Sequence, residues 1–588
     1  MPSRYLITSA LPYINGVKHL GNLIGSVLPA DTYARFLRQN GCDVLHVCGT
    51  DEHGTPAEIA AQEEGLAIDV YCQQMHERQK LIYENFGIEF DFFGRTSSPS
   101  NHAFTTEVFK KLYENGYIQE LYIDQYYSFD DQRFLPDRYI EGTCPYCKYD
   151  RARGDQCDGC GVLLNPEELI DPYSAISKSR NIALKKTRHF FLDMPKLEAE
   201  MTLWVEKQAL WSDTVRGIAK KWLKDGVRPR CITRDLKWGI TVPLNWIFAQ
   251  KGQPIETVEL DEVYNWAGED KVFYVWFDAP NGYVSITQDW ALSINSPDEW
   301  KKWWQPEKEQ DVFYVEFMAK DNIAFHTIFW PAMMIGSGMN IKKVDDIKGF
   351  HWLTYDHGKF STSQKRGVFT DVALELYPAD YWRYYLLANC PESSDSDFSF
   401  EAFAAVVNKD LADILGNFVT RTIALHKKYC DLTIGIELTA DNIDVQLSDR
   451  VNSATNCIAQ LLSERKFRAA SAELRALWAL GNEYIAQKEP WQVLKTSQEQ
   501  GEVILTHCLH LLRVFAIAGF PFIPYTSCKI FEILNDDSKK LRATSIANCL
   551  SFTCFNKGHK INDAYCLFEK IDDDTVQKLT QRFSGEGA

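Results

Sequence analysis

Four residues near the start of the chain, His19-Leu20-Gly21-Asn22, have the types and spacing of a phosphate-holding turn. They follow an apolar run, Arg4-Tyr5-Leu6-Ile7-Thr8-Ser9, that breaks at Ala10-Leu11-Pro12-Tyr13. Together they read as a strand delivering a helix N-terminus, where unpaired backbone N–H groups can hold an anion. Taken alone, the turn fits a capped helix with a surface histidine equally well. The chain has no Gly-x-x-x-x-Gly-Lys-Ser/Thr loop, so phosphates are not cradled in that way.

A second constellation is metal-ligating. Cys144-Pro145-Tyr146-Cys147 and Cys157-Asp158-Gly159-Cys160 form two C-x-x-C knuckles separated by nine residues. Four soft thiolates at this spacing suit a closed tetrahedral zinc site with no open position for a substrate. A redox dithiol and disulfides are the alternatives, and the occurrence of two knuckles together favours one structural zinc ion on Cys144, Cys147, Cys157 and Cys160. The other twelve of the sixteen cysteines are scattered singly, as reduced core thiols are.

The elements that must position these groups follow from the hydrophobic pattern. Strand and helix alternate from Tyr5 to about Gly94, with Asp43-Val44-Leu45-His46-Val47 as a second strand and Asp51 and His53 at its end. This is the opening of a doubly wound sheet, where ligand groups gather at strand C-termini. A polar, irregular stretch from about Leu121 to Ile232 holds the cysteines and reads as an insertion. The sheet is expected to resume with Lys271 to Phe277 and Val312 to Phe317 as buried strands. Beyond Ser399, helical patterns run through Val406 to Tyr429, Val451 to Leu462, Phe467 to Ala486 and Glu502 to Ala518, which is an α-helical bundle. The segment after Leu541 is mixed and ends in a polar tail from about Asp572.

With 588 residues, 45% hydrophobic and 24% charged, the chain should divide into roughly three to five domains. A formal net charge of −17 argues against promiscuous binding to phosphate backbones, though Lys365-Arg366 and His426-Lys427-Lys428 leave room for a specific docking stripe. Polar Thr8, Ser9 and Asn15 interrupt any signal-peptide pattern, so a cytoplasmic location is expected. Leu505 to Tyr525 is apolar but contains Arg513, Pro521 and Pro524, and reads as a buried helix rather than a membrane span.

Six motifs then occur in one order: Ala10-Leu11-Pro12-Tyr13, His19-Leu20-Gly21-Asn22, Gly49-Thr50-Asp51-Glu52-His53-Gly54, Arg234-Asp235-Leu236-Lys237-Trp238-Gly239, Trp276-Phe277-Asp278-Ala279-Pro280-Asn281-Gly282-Tyr283 and Lys359-Phe360-Ser361-Thr362-Ser363. Along nearly its whole length the chain resembles the methionyl-tRNA synthetases, a family of class I aminoacyl-tRNA synthetases. The resemblance implies ATP-dependent activation of L-methionine to methionyl-adenylate and transfer to the terminal ribose of tRNA(Met), with magnesium accompanying ATP. It implies an α/β fold: a split Rossmann-like catalytic domain with a zinc-knuckle insertion, followed by an α-helical anticodon-binding bundle. The corresponding boundaries are 1–118 and 231–335 for the catalytic halves, 119–230 for the insertion, 336–400 for the Lys359 loop and stem-contact region, 401–545 for the bundle and 546–588 for the C-terminal segment.

The chemistry needs alignment and charge relief rather than a nucleophile from the enzyme, because the substrate carboxylate attacks the α-phosphate itself. By resemblance, His19, Gly21, Asn22, Lys359, Ser361 and Thr362 contact ATP, and His19, Asn22, Lys359, Thr362 and Lys365 act in catalysis. Gly21 lets the nucleotide approach the backbone closely. The family has a second lysine where this chain has Thr362, and Lys365 and Arg366 are expected to replace its charge from a shifted register. Asp51 matches the carboxylate that pairs with the substrate ammonium. Ala10, Leu11, Tyr13, Trp276, Ala279, Pro280, Tyr283 and His326 match the methionine pocket, where aromatic walls suit a polarizable thioether. Ala319-Lys320-Asp321-Asn322 before His326 resembles the eukaryotic and archaeal branch.

The insertion is too short for the editing domain that synthetases for branched aliphatic amino acids carry. Asn417, Arg421, Pro490 and Trp491 match the anticodon readers, with Asn417 and Arg421 sharing one helical face. A monomer is expected. A non-catalytic tRNA-binding homologue would keep the bundle residues but degrade the ATP site. A different adenylate-forming enzyme or small-molecule nucleotidyltransferase would leave the bundle unused.

Overall fold

The computed structural model describes residues 4–154, 157, 160, 162, 164, 166–252, 271–360, 366–439 and 441–585. Its centre is a five-stranded parallel sheet built from β1 (Arg4–Ser9), β2 (Asp43–Thr50), β3 (Phe92–Arg95), β4 (Val312–Ala319) and β5 (Asp346–Phe350), in the order β5-β4-β1-β2-β3. Tyr5 and Ile7 of β1 enter one core and Leu6 the other. A strand covered on both faces needs a continuous apolar run rather than alternation. β1 pairs with β2 on one side and with β4 on the other, with Thr8 level with both Val47 and Glu316. The chain order reverses between β1 and β4, so the segments leaving their C-terminal ends diverge and open a crevice there.

The insertion between the halves is antiparallel. Ile118–Ser128 and Ile182–Leu192 pair along their full lengths, and a three-stranded sheet of Ile140–Thr143, Ala152–Arg153 and Ile170–Ser174 carries the first knuckle at its end.

Lys271 to Phe277 is not one strand of the central sheet. Lys271–Phe273 pairs antiparallel with Thr233–Asp235, and Val275–Asp278 turns into a short helix that continues through Pro280 into Gly282–Ser293. Tyr274 stays extended at the N-cap of that helix, and Pro280 sits in the first turn of the next, where its missing N–H costs nothing. Period alone could not separate these two outcomes in a short apolar run.

The helical region follows the pattern: Val445–Ser463, Phe467–Lys488 and Gln498–Gly519 are longer than expected, and the first stretch divides, its α-helix being Asn417–Cys430. The stretch before Asn417 is wound as a π-helix over Val407–Gly416. Gln498–Gly519 is long and apolar enough to cross a membrane by composition, but most of it is buried inside the bundle. The bundle shares a core with the catalytic domain. Arg383, fully buried, joins them: its guanidinium contacts Asp31 Oδ2 at 2.7 Å, Pro521 O at 2.9 Å and Phe522 O at 3.0 Å.

The expected polar tail is instead a helix, Asp573–Phe583, with Val576, Leu579 and Phe583 buried. Those three positions recur at helical spacing, so a segment polar by composition still has an apolar stripe. Phe583 packs on Phe400 with ring centroids 5.7 Å apart, and its carbonyl accepts from Gly367 N–H at 3.1 Å.

Candidate functional site

The crevice at the β1–β4 switch point is a cavity of about 540 Å³. It is lined by Ala10, Leu11, Tyr13, His19, Gly21, Asn22, Asp51, Trp276, Ala279, Pro280, Tyr283, His326 and Lys359, so motifs more than three hundred residues apart in sequence converge on one space.

At one end lies the His19 turn. The helix begins at Leu20, and His19 is extended at its N-cap (φ −90°, ψ 169°). Asn22 Oδ1 accepts from the His19 backbone N–H at 3.2 Å, which closes the turn and leaves the Asn22 Nδ2 donors available. Burial, assisted by the charge on Lys18, pushes the His19 imidazole down to about 3, so it acts as a neutral donor. Its Nδ1 is buried without a partner among the described residues. A Cβ on Gly21 would lie 2.9 Å from the His19 ring, so only glycine lets the imidazole fold over the helix start. Phe360 stacks on the other side of that ring, 4.5 Å between centroids and 9° between planes.

The other end is aromatic. Trp276 stacks on Phe325 at 3.8 Å and 10°, and Tyr13 meets Trp276 edge-on at 6.1 Å. The Tyr283 hydroxyl lies 2.9 Å from His326 Nε2, while His326 Nδ1 lies 3.0 Å from the Asn322 carbonyl. A carbonyl only accepts, so Nδ1 carries the proton and Nε2 accepts from Tyr283. Burial pushes His326 down to about 4, consistent with that neutral tautomer.

Between the two ends stands Asp51. Its backbone is fixed by exchange with the first segment, Asp51 N–H to Pro12 O and Ile14 N–H to Asp51 O, both 2.9 Å. The carboxylate is buried at 4% exposure, and its Oδ1 has no hydrogen-bond partner among the described residues. Burial, then the charges of Asp278 and Glu52, hold its pKa well above the usual carboxylate range. A buried acid in that state is stabilised by an incoming cation such as an ammonium.

The remaining motifs support this geometry from behind. His53 Nδ1 and Asp278 Oδ2 lie 2.6 Å apart, tying the third motif to the fifth. Trp238 of the fourth motif donates its indole N–H to Glu52 O at 2.6 Å, and Arg95 holds the Glu52 carboxylate at 2.9 Å.

All nine residues matched to the pocket line this one cavity, and so do Phe325, Trp352 and Lys18, which the sequence reading does not single out. Phe325 sits one residue before His326 and looks like ordinary core in the sequence. Ser361, Thr362 and Lys365 lie outside the described residues. Arg366 is described: its Nη2 donates to the Tyr355 and Asp356 carbonyls at 3.1 and 3.0 Å. The carbonyls of the preceding turn engage the guanidinium, which is absent from the cavity wall.

Away from the cavity, the four cysteine Sγ atoms lie within 4.8 Å of one another. Cys144–Cys160 and Cys147–Cys157 are 3.9 and 3.5 Å apart. Four ligands at a Zn–S distance of about 2.3 Å stand roughly 3.8 Å apart in a tetrahedron, so the cluster fits a tetrahedral metal. Burial raises the Cys144 thiol, but the Cys147 and Tyr146 backbone N–H groups and the neighbouring thiols outweigh this and bring it to about 7.

In the bundle, the Arg421 guanidinium lies 5.7 Å from the Trp491 ring centroid, and Asn417 is exposed on the same helix. Pro490 is buried at the first position of a short helix, Pro490–Val493, where it turns the chain and sets Trp491.

Comparison with known proteins places the whole chain. The family model for class I tRNA synthetases (M) matches residues 5–423, and that for the anticodon binding domain of methionyl tRNA ligase matches residues 438–588. The chain is 47% identical over 583 residues to methionine–tRNA ligase 1 of Acaryochloris marina, covering 99% of this chain and all of that one. It is 45% identical over 585 residues to methionine–tRNA ligase of Caulobacter vibrioides, with the same coverage. In fold it is similar to Mycobacterium tuberculosis methionyl-tRNA synthetase in complex with methionyl-adenylate, at a TM-score of 0.74 and 21% identity over 96% of this chain and 99% of that one.

Proposed function

The chain belongs to the methionyl-tRNA synthetases of class I, and from that premise we propose how its own residues divide the work of methionine activation and transfer. The family reaction joins L-methionine to tRNA at the expense of ATP, through methionyl-adenylate.

Asp51 takes the α-ammonium of methionine. Its buried Oδ1 lacks a partner while facing a cavity with an aromatic wall, and that observation carries the reading. Trp276, Phe325 and Tyr13 enclose the thioether, while Tyr283 and His326, locked to each other, close the far side with Ala10, Leu11, Ala279 and Pro280. With the ammonium fixed, the carboxylate points toward the His19 turn. His19 and Asn22 donate to phosphate oxygens, and the helix N-terminus at Leu20 adds its dipole. The carboxylate oxygen attacks the α-phosphorus, pyrophosphate leaves with the bonding pair, and no protein nucleophile is needed. Magnesium arriving with ATP would offset part of the triphosphate's charge.

Lys359, on the cavity wall beside Phe360, meets the nucleotide, and by the family resemblance Ser361, Thr362 and Lys365 act with it. In the second step, the terminal ribose hydroxyl of tRNA(Met) attacks the activated carbonyl. Asn417, Arg421 and Trp491 read the anticodon, since an arginine held beside an aromatic ring suits stacking and hydrogen bonding to splayed loop bases. Zinc on Cys144, Cys147, Cys157 and Cys160 would stabilise the small insertion domain.

A non-catalytic tRNA-binding homologue is disfavoured by the intact convergence of His19, Asn22, Asp51 and Lys359 on one cavity. ATP–pyrophosphate exchange with each of the twenty amino acids tests the reading: methionine alone should support exchange, and no exchange, or exchange with another amino acid in its place, overturns it.

A further inference from the structure

Bringing a carboxylate against a phosphate places two anions in contact, in a protein that already carries a net charge of −17. The cavity's own walls contribute two carboxylates, Asp51 and Asp321. Of the groups expected to meet the phosphates, Lys359 and Lys365 of the loop are cationic and the rest give little positive charge. His19 is held neutral, Asn22 is an amide, Arg366 is committed to backbone carbonyls, and position 362 is threonine. Among the described residues lining the cavity, only Lys18 and Lys359 have side chains whose usual state is cationic at neutral pH.

Lys18 is the one fixed within the walls. Its carbonyl accepts from both the Thr370 backbone N–H at 2.9 Å and the Thr370 hydroxyl at 2.8 Å, which anchors the residue just before the helix start. Its Nζ donates to Asn15 Oδ1 at 2.9 Å, and no carboxylate lies within ion-pairing distance of it among the described residues. An ammonium has three donors, so two remain for a ligand. Burial lowers the Lys18 ammonium to about 8 and nearby Asp51 opposes this, so it stays protonated at neutral pH. The chain thus places a cation on the same cavity wall as Asp51 and His19, close enough to feel the charge of the first and to act on the second.

We propose that Lys18 is a further catalytic residue, whose ammonium donates to the attacking carboxylate and the α-phosphate as they meet. This rests on the reading of the cavity given above. The C–O–P bond forms, the bond from α-phosphorus to the bridging oxygen breaks with its electron pair leaving on pyrophosphate, and Lys18 keeps its protons throughout. Its contribution is charge relief in the transition state.

The test is single-turnover adenylate formation by the full-length chain, with methionine and ATP dissociation constants measured separately. Lys18→Met should slow the step by about a hundredfold or more while both constants stay within about threefold, since the contact matters most in the transition state. Lys18→Arg should retain most of the rate. The double variant Lys18→Met/Thr362→Lys should be at least about tenfold faster than Lys18→Met, because it supplies a cation in place of the one removed. A Lys18→Met rate within twofold of the parent overturns the proposal. So does a loss that neither Lys18→Arg nor the double variant reverses and that comes with weakened binding of both substrates, which marks a packing role. Failure of the parent chain to exchange pyrophosphate with methionine would instead sink the underlying reading.

Discussion

The Phe360 ring lies flat on the His19 imidazole, 4.5 Å away and within 9° of parallel. Through it, the first residues of the Lys359 loop are packed directly on the phosphate turn. Gly367, on the far side of the loop, has φ +93°, and a Cβ there would lie 2.3 Å from the Phe360 ring. Gly367 therefore packs against Phe360, which in turn stacks on His19.

Phe360→Ala should free the His19 ring without touching the methionine end. Adenylate formation should slow by about tenfold, with methionine affinity unchanged, in single-turnover and equilibrium-binding measurements on the same protein. A matched loss of methionine affinity would show that the stack supports the whole cavity instead.

Tyr283→Phe removes the donor to His326 Nε2 and leaves a buried acceptor unpaired, at a cost of about 1–3 kcal/mol. Because that pair lies at the amino-acid end, the methionine KM should rise while the ATP KM stays the same, in steady-state pyrophosphate exchange.

Glu316, buried in the middle of β4, has one carboxylate oxygen bonded to Tyr314 and the other without a partner among the described residues. Burial pushes it up to about 8. A group raised in the folded state contributes stability that is complete below its unfolded pKa and is lost as pH rises through the folded value. Wild-type stability should therefore fall between about pH 4.5 and 8 with a slope of up to about 1.4 kcal/mol per pH unit from this group. Glu316→Gln should remove that slope, so its stability relative to wild type rises from pH 5 to pH 8 in denaturant titrations.

Arg383 is the buried link between catalytic domain and bundle. Arg383→Met strands Asp31 beside Arg35 alone and leaves the Pro521 and Phe522 carbonyls unpaired, and should destabilise the chain by about 3–5 kcal/mol. Chemical unfolding followed by tryptophan fluorescence would measure the loss.

Trp491→Ala should raise the tRNA KM while sparing methionine-dependent pyrophosphate exchange, because Trp491 touches Arg421 in the bundle and no part of the cavity. Equal losses in both assays would mean that the ring serves packing between the domains.

Much of this was legible in the sequence because motif residues are constrained by chemistry. Asp51, Trp276 and His326 were identifiable before any fold was known, and so were the four cysteines. Secondary structure was legible where an apolar run was long, as in Gln498–Gly519. It failed where the run was short: Val275–Asp278 carries strand-like residues, yet it turns helical to point Trp276 into the cavity wall. It also failed where composition hid a stripe, as in Asp573–Phe583. Lys18 was passed over because a single lysine beside a histidine has no pattern of its own. Its place becomes visible only when Asp51 and His19 are seen to face one space.

The central claim is that one cavity holds the methionine ammonium at Asp51 and aims its carboxylate at the His19 turn. Methionine titration of pyrophosphate exchange in Asp51→Asn, against wild type at saturating ATP, tests this most directly. The account predicts a methionine KM raised by about a hundredfold, the scale of a lost charge-assisted bond in a buried site, with the ATP KM little changed. A methionine KM within twofold of wild type would contradict it.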